Sequence, residues 1–195
     1  MLTAIGNFII QINYKFEYID LGGGMGISYN DKNKKLNYKR YTVAIKKFLK
    51  KHNSKIIFEP GRSIVGSIGT LISQIIYIKN SENKKFVILD AGMNDLMRPA
   101  LYGASHRIIP SIKKNKKFKG TYEFVGPICE STDKFLSLKK FQELKEKEFI
   151  AVCDVGAYGM SLSSNYNLRT KPIELLIKGP KIKVIKKRQK HIDLI

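Results

Sequence analysis

The stretch Phe16-Glu17-Tyr18-Ile19-Asp20-Leu21-Gly22-Gly23-Gly24-Met25-Gly26 decides how this chain is read. Its first six residues form a short run of buried-strand character, and the glycines end it at once. Glycines directly after a strand let backbone N–H groups come close to a phosphate and point at it. The run lacks G-x-G-x-x-G spacing, and no Lys-Ser/Thr follows as in a P-loop. Taken alone, a tight strand-to-helix turn with no ligand explains it equally well.

The flanks give the turn a context. Residues 1–12 are fairly apolar, with no basic leader and no small-residue cleavage site, and predict a helix, not a signal peptide. Downstream, a Lys- and Asn-rich loop leads to Tyr41, Ala44, Ile45, Phe48, Leu49 and His52. Their spacing of i, i+3, i+4, i+7, i+8 and i+11 marks one face of an amphipathic helix. Residues 55–58 read as a second strand, closed by Glu59-Pro60-Gly61-Arg62. Gly61 offers a further backbone donor. Arg62 carries a guanidinium suited to carboxylate or phosphate, and Glu59 could pair with a protonated ring nitrogen. A solvated Glu–Arg pair at a strand end is the plain alternative.

Helix, strand, glycine loop, helix, strand, loop is the order of parallel βαβ architecture, in a doubly wound sheet or a (β/α) barrel. In such a barrel the loops after the last two strands commonly build a phosphate site. Beyond Gly66 the pattern changes. Residues 69–79, 84–90, 119–127, 148–155, 168–178 and 181–186 are β-rich runs between turns, and residues 139–147 predict a helix. This predicts an antiparallel β-domain, with a boundary near residues 63–68.

Composition narrows the classes. The apolar fraction of 43% suits a globular core, and no stretch is apolar for long enough to span a bilayer as a helix. The net charge of +20 raises nucleic-acid binding. The lysines are spread along the chain, however, and the aromatics are not interleaved with the basic clusters as a single-strand platform requires. Nucleic acid is therefore not the expected partner. Two cysteines, Cys129 and Cys153, make no disulfide framework, and a reduced, cytoplasmic setting is expected. Cysteines in β-runs are usually small buried hydrophobes; Tyr158 and Tyr166 could be core aromatics. His106 reads as structural, Asp90 as a turn former, and His52 and His191 as exposed. No metal site is expected.

The glycine loop followed by Glu59-Pro60-Gly61-Arg62 resembles the fold-type III pyridoxal-phosphate decarboxylases, and later motifs resemble the diaminopimelate decarboxylases among them. These are the segment Asp90-Ala91-Gly92-Met93-Asn94-Asp95-Leu96-Met97-Arg98-Pro99-Ala100-Leu101-Tyr102, the loop Cys129-Glu130-Ser131, and Ala157-Tyr158-Gly159-Met160-Ser161 with Ser164-Asn165-Tyr166-Asn167. They occur in family order between residues 20 and 170.

The resemblance implies the C-terminal part of a (β/α)8 alanine-racemase-like barrel over residues 1–66, then a β-sandwich or barrel-like domain over residues 67–195. It implies pyridoxal 5'-phosphate held by Gly22, Gly23, Gly24 and the Glu59-Pro60-Gly61-Arg62 turn, with Glu59 on the pyridine nitrogen and Tyr158 at the phosphate. Arg62, Arg98, Tyr102, Glu130 and Tyr158 would bind substrate, and Cys129, with Tyr158, would be catalytic, Cys129 as the proton donor or its neighbour. The implied reaction converts meso-2,6-diaminopimelate to L-lysine and carbon dioxide, in a homodimer whose Cys-Glu loop enters the partner's site.

Two departures stand out. The family's loop continues Gly-Asp where this chain has Thr132-Asp133, and a β-branched residue would strain a left-handed backbone there. The family's cofactor-bearing lysine and ring-stacking histidine lie upstream of the glycine loop, and no matching motif precedes it here. Lys15 is too close to the strand to substitute. The expectation is a fragment, inactive alone, with a possible separate N-terminal half. Alternatives are a related decarboxylase acting on ornithine, arginine or carboxynorspermidine, or, in another class, a basic module binding RNA or an acidic partner.

Overall fold

The structure is a computed structural model that describes residues 1–29 and 36–195. Residues 30–35 of the Lys- and Asn-rich loop lie outside the described residues. The chain divides into two compact units, Met1–Val65 and Gly66–Ile195.

In the first unit, α1 (Leu2–Ile12) precedes β1 (Tyr18–Asp20), and α2 (Tyr38–His52) precedes β2 (Lys55–Ile57). Asn37 caps α2, its side-chain oxygen accepting from the Arg40 amide at 3.0 Å. Three basic residues, Lys50, Lys51 and His52, complement the carbonyl end of that helix. The predicted apolar face is buried or half-buried except at Ala44, which is exposed. Ile45 and Phe48 join Ile19 and Leu21 in the core, with Tyr41, Leu49 and the α1 residues Leu2, Ile5 and Ile9 packed against them. His52, expected to be exposed, is half-buried: its ring lies 4.6 Å from that of Phe48, and it closes over Gly6.

β1 and β2 pair in parallel, Ile19 opposite Ile56. A short helix, α3 (Gly61–Val65), follows β2. Tyr18, Ile57 and Ile64 are apolar and exposed.

The second unit is built on a six-stranded sheet of β3 (Thr70–Asn80), β4 (Lys84–Leu89), β5 (Ile108–Pro110), β6 (Thr121–Val125), β7 (Lys134–Lys139) and β8 (Phe149–Cys153), in the order β5-β8-β3-β4-β6-β7. The β-branched run Thr70–Ile78 favours a long strand. Its first half pairs with β8 and its second half with β4. A register shift between Ile75 and Tyr77 falls at the handover and lets the strand bend. Ile75, Val87, Leu89, Tyr122, Phe124, Ile150 and Val152 are almost wholly enclosed. Burial of each such side chain stabilises by about 1.5–3 kcal/mol before entropy is counted. A separate hairpin, β9 (Glu174–Lys178) with β10 (Lys181–Lys186), turns at Gly179, whose φ is 56°.

Three expectations need correction. The sheet is mixed, because β4 and β6 run parallel, with Val87 opposite Phe124. Residues 139–147 are not a helix: Lys140 and Lys147 both have left-handed backbones, at φ 57° and 68°. Phe141 accepts from the Phe118 amide at 2.9 Å, and the Leu144 amide donates to the Tyr122 hydroxyl at 3.2 Å. The segment therefore lies extended against neighbours, and these tertiary bonds override its helical periodicity. Within residues 168–178, only Glu174–Lys178 is strand. Two strands, β5 and β7, and the short helix α4 (Arg98–Tyr102) were not anticipated.

Candidate functional site

In the first unit the two strand tips are tied together. Leu21 donates to the Ile57 carbonyl at 3.1 Å, and one step on Glu59 donates to the Gly22 carbonyl at 2.8 Å. Each of the three glycines has its own reason. Gly22 and Gly24 have φ of 63° and 74°, a conformation L side chains rarely adopt. Gly23 lies against Glu59, so close that a Cβ there would sit 2.7 Å from the Glu59 carbonyl oxygen. Asp20 steadies the turn by accepting from the Gly22 amide at 2.7 Å.

Open space surrounds Gly22, Gly24, Gly26 and Gly61, and no acceptor engages the Gly23 or Gly24 amide among the described residues. These two donors suit a phosphate and the exposed Glu59 carboxylate can accept from a protonated pyridine nitrogen, so the residues present fit a phosphorylated pyridine. The Gly61 amide is already engaged, donating to the Glu59 carbonyl at 2.9 Å. Pro60 accepts from the Ile64 amide and the Ser63 hydroxyl, which starts α3.

In the second unit the segment from Asp90 to Tyr102 is anchored at both ends. Asp90 does more than form a turn: its carboxylate accepts from the Ser73 hydroxyl at 2.5 Å and the Gln74 amide at 2.9 Å on β3. Arg98 is 6% exposed, and its Nη1 lies 2.9 Å from Nε2 of His106. Nδ1 of His106 lies 3.0 Å from the Cys153 carbonyl oxygen. A guanidinium only donates and a carbonyl only accepts. His106 is therefore neutral, with its proton on Nδ1. Its pKa is lowered, first by burial and then by the Arg98 charge. Tyr102, 65% exposed, stands at the end of α4.

Cys129 is exposed, unlike the buried Cys153. Glu130, beside it, accepts from the Tyr166 hydroxyl at 2.5 Å, and that bond raises the Tyr166 pKa. Thr132 does not have the left-handed backbone that would have strained it. The next residue, Asp133, is buried and accepts from the Met93 and Ile128 amides, each at 2.7 Å. Burial raises its pKa.

Tyr158 has φ 60° and is 45% exposed. The next residue, Gly159, packs so tightly on the Val155 carbonyl that no side chain fits there. Residues 164–169 close onto the Asp90 segment: Ser164 donates to the Asn94 carbonyl at 2.9 Å, and Arg169 donates to the Asn94 side chain at 3.2 Å and to the Asp90 carbonyl.

Arg98, Tyr102, Cys129, Glu130 and Tyr158 thus all lie in one unit, and Gly22 to Gly24 and Glu59 to Arg62 in the other. The reading from sequence missed Asp133, Asn94 and Arg169. Asp133 had one signal, its place directly after the departure from the family loop.

A glycine-lined strand tip tied to an acid-bearing turn, and a sheet domain carrying paired polar loops, define a class of protein. The chain matches the family described as pyridoxal-dependent decarboxylase, C-terminal sheet domain, over residues 14–156, and belongs to it. Relatives that it matches include diaminopimelate decarboxylases. That of Aquifex aeolicus is 42% identical over 97% of this chain and 45% of its own length. That of Helicobacter pylori is 42% identical over 99% of this chain and 47% of its own. The crystal structure of diaminopimelate decarboxylase from Helicobacter pylori complexed with L-lysine superposes with a TM-score of 0.84 at 41% identity, covering 99% of this chain and 47% of that one. The chain spans about half the length of the curated relatives it matches. Among the described residues no helix is long and apolar enough to cross a membrane.

Proposed function

We propose that this chain supplies the second half of a pyridoxal-phosphate-dependent decarboxylase that converts meso-2,6-diaminopimelate to L-lysine and carbon dioxide. The observation that carries the reading is the joined pair of strand tips, with the Gly23 backbone seated on the Glu59 carbonyl. The relatives' names support the substrate.

Residues 1–66 would be the last βα units of the cofactor barrel, and residues 67–195 the β-domain that completes the substrate site. The Gly23 and Gly24 amides would hold the phosphate, joined by Gly61 once its bond to Glu59 opens. Glu59 would hold the pyridine nitrogen protonated. The bound cofactor supplies an electron sink for the pair of electrons left when carbon dioxide departs. Arg62, Arg98 and Tyr102 would grip the carboxylate at the far end of the substrate, and Glu130 its ammonium. Fixed cations and one fixed anion suit an amino-acid end better than a plain amine. Cys129 would hold or deliver the proton, and Tyr158 would close on the phosphate. The working form would be a homodimer, with the Cys129–Glu130 loop reaching the partner's site.

The first half, with its lysine, would come from a separate or preceding segment. The purified chain with pyridoxal phosphate and diaminopimelate is expected to release no carbon dioxide. The same chain fused behind the first half of the Helicobacter pylori relative is expected to release it. Turnover by the chain alone overturns the fragment reading, and an inactive but folded, cofactor-loaded fusion overturns the activity.

A further inference from the structure

We infer that Asp133 is a positioning residue that holds the Cys129–Glu130 loop and the Met93–Arg98 segment in register through one buried carboxylate. The inference deepens the proposed function and rests on its assignment of Cys129 and Glu130 to the substrate.

Asp133 is 3% exposed. One oxygen, Oδ1, accepts from the Met93 amide at 2.7 Å, and the other, Oδ2, accepts from the Ile128 amide at 2.7 Å. The donors lie 35 residues apart in sequence, on different loops, and meet at one side chain. Backbone bonds close the same loop around it. The Gly126 amide donates to the Asp133 carbonyl at 2.9 Å, and the Asp133 amide to the Glu130 carbonyl at 3.1 Å. Gly126 packs onto the carboxylate so tightly that any Cβ there would overlap it, which is why a glycine occupies the position. Asp133 has no ion-pair partner among the described residues. Its charge is met by backbone dipoles, together with the field of Arg169, and is opposed by the nearby carboxylate of Asp95.

The physical consequence is directional. A buried carboxylate without a salt bridge is held by its N–H donors, and the donors are held by it. Ile128 immediately precedes Cys129, so the bond at Ile128 sets where the thiol and the Glu130 side chain begin. Met93 lies five residues before Arg98, in the segment that Asp90 fixes at its start and the Arg98–His106 contact fixes near its end. Asparagine is close to the same size but turns an NH2 toward one of the two amides. One loop then loses its acceptor, and the register between the loops is lost with it.

The test reads the loops directly. In 15N-labelled protein, the Met93 and Ile128 amide resonances are expected to move together on acidification with one shared midpoint, above the 3.8 of an ordinary aspartate. Separate midpoints, or no titration, overturn the inference even if no variant can be made. In Asp133→Asn at neutral pH, alkylation of Cys129 is expected to change several-fold while Cys153 stays protected, and Asp133→Glu is expected to restore part of the wild-type rate. An unchanged Cys129 rate in a folded Asp133→Asn protein also overturns it. In the active fusion, Asp133→Asn is expected to raise KM more than it lowers kcat. If instead Glu130→Gln leaves diaminopimelate turnover unchanged while the two amides still titrate as one, the substrate assignment fails and the positioning role stands.

Discussion

The backbone amide of Glu59 donates to the carbonyl of Gly22 at 2.8 Å, extending the β1–β2 pairing past the end of both strands. The bond brings a flexible glycine loop and an acid-bearing turn to one place. It also presses Gly23 onto the Glu59 carbonyl, so the loop tolerates no side chain at that position.

Gly23→Ala is therefore expected to destabilise the first unit by about 1–3 kcal/mol, the usual cost of forcing an extra methyl into a filled site. Gly26→Ala, where a Cβ meets nothing, is expected to stay within about 0.5 kcal/mol. Denaturant titration of both variants checks the difference, and equal losses would contradict the close approach.

Arg98→Ala removes the 2.9 Å hydrogen bond to a buried histidine nitrogen. A loss of about 1–3 kcal/mol is expected. In the active fusion it should suppress diaminopimelate turnover far more than pyridoxal-phosphate binding, measured by equilibrium dialysis. Equal damage to both would place Arg98 with the fold alone.

His106 sets a pH limit. Its folded pKa lies below the ordinary 6.5, so between those two values the unfolded chain binds the proton and the folded one does not. Stability is expected to fall as pH drops through 6.5, and to stop falling on this account once the folded pKa is passed. Melting midpoints at pH 7.5 and 5.5 are expected to differ in the wild type, and to differ less in a folded His106→Gln variant.

Glu123 acts at lower pH. Hydrogen bonds from Lys84, at 2.7 Å, and from Lys134, at 2.9 Å, help hold its pKa below the ordinary 4.5. The stabilisation it provides is present above 4.5 and is lost as pH falls through the folded value. Glu123→Gln is expected to cost about 1 kcal/mol at pH 7, in line with a partly solvated pair of contacts. The difference from wild type should shrink as pH falls below 4.5 and through the lowered folded value.

Much of this was legible along the chain. The α2 face Tyr41, Ala44, Ile45, Phe48, Leu49 and His52 reads from spacing, since a helix repeats every 3.6 residues and the partner surface need not be known. The strands before the glycine loop and the Glu59–Arg62 turn read from short apolar runs stopped by glycine and proline. The family motifs reveal which arginines to rank, and Arg98 would not stand out otherwise. Residues 139–147 misread because Phe141 and Leu144 satisfy a helical pattern that is overruled by bonds to Phe118 and Tyr122.

The sequence by itself determined the first unit's helices and strands, the glycine turn and the family. These depend on backbone preference and on residues close together in the chain. Only the tertiary structure decided that β4 lies parallel to β6, that His106 is neutral beneath Arg98, and that Asp133 serves two loops at once. Those facts rest on hydrogen bonds and burial between residues five to forty-seven positions apart, and such pairings leave no periodic trace in the chain.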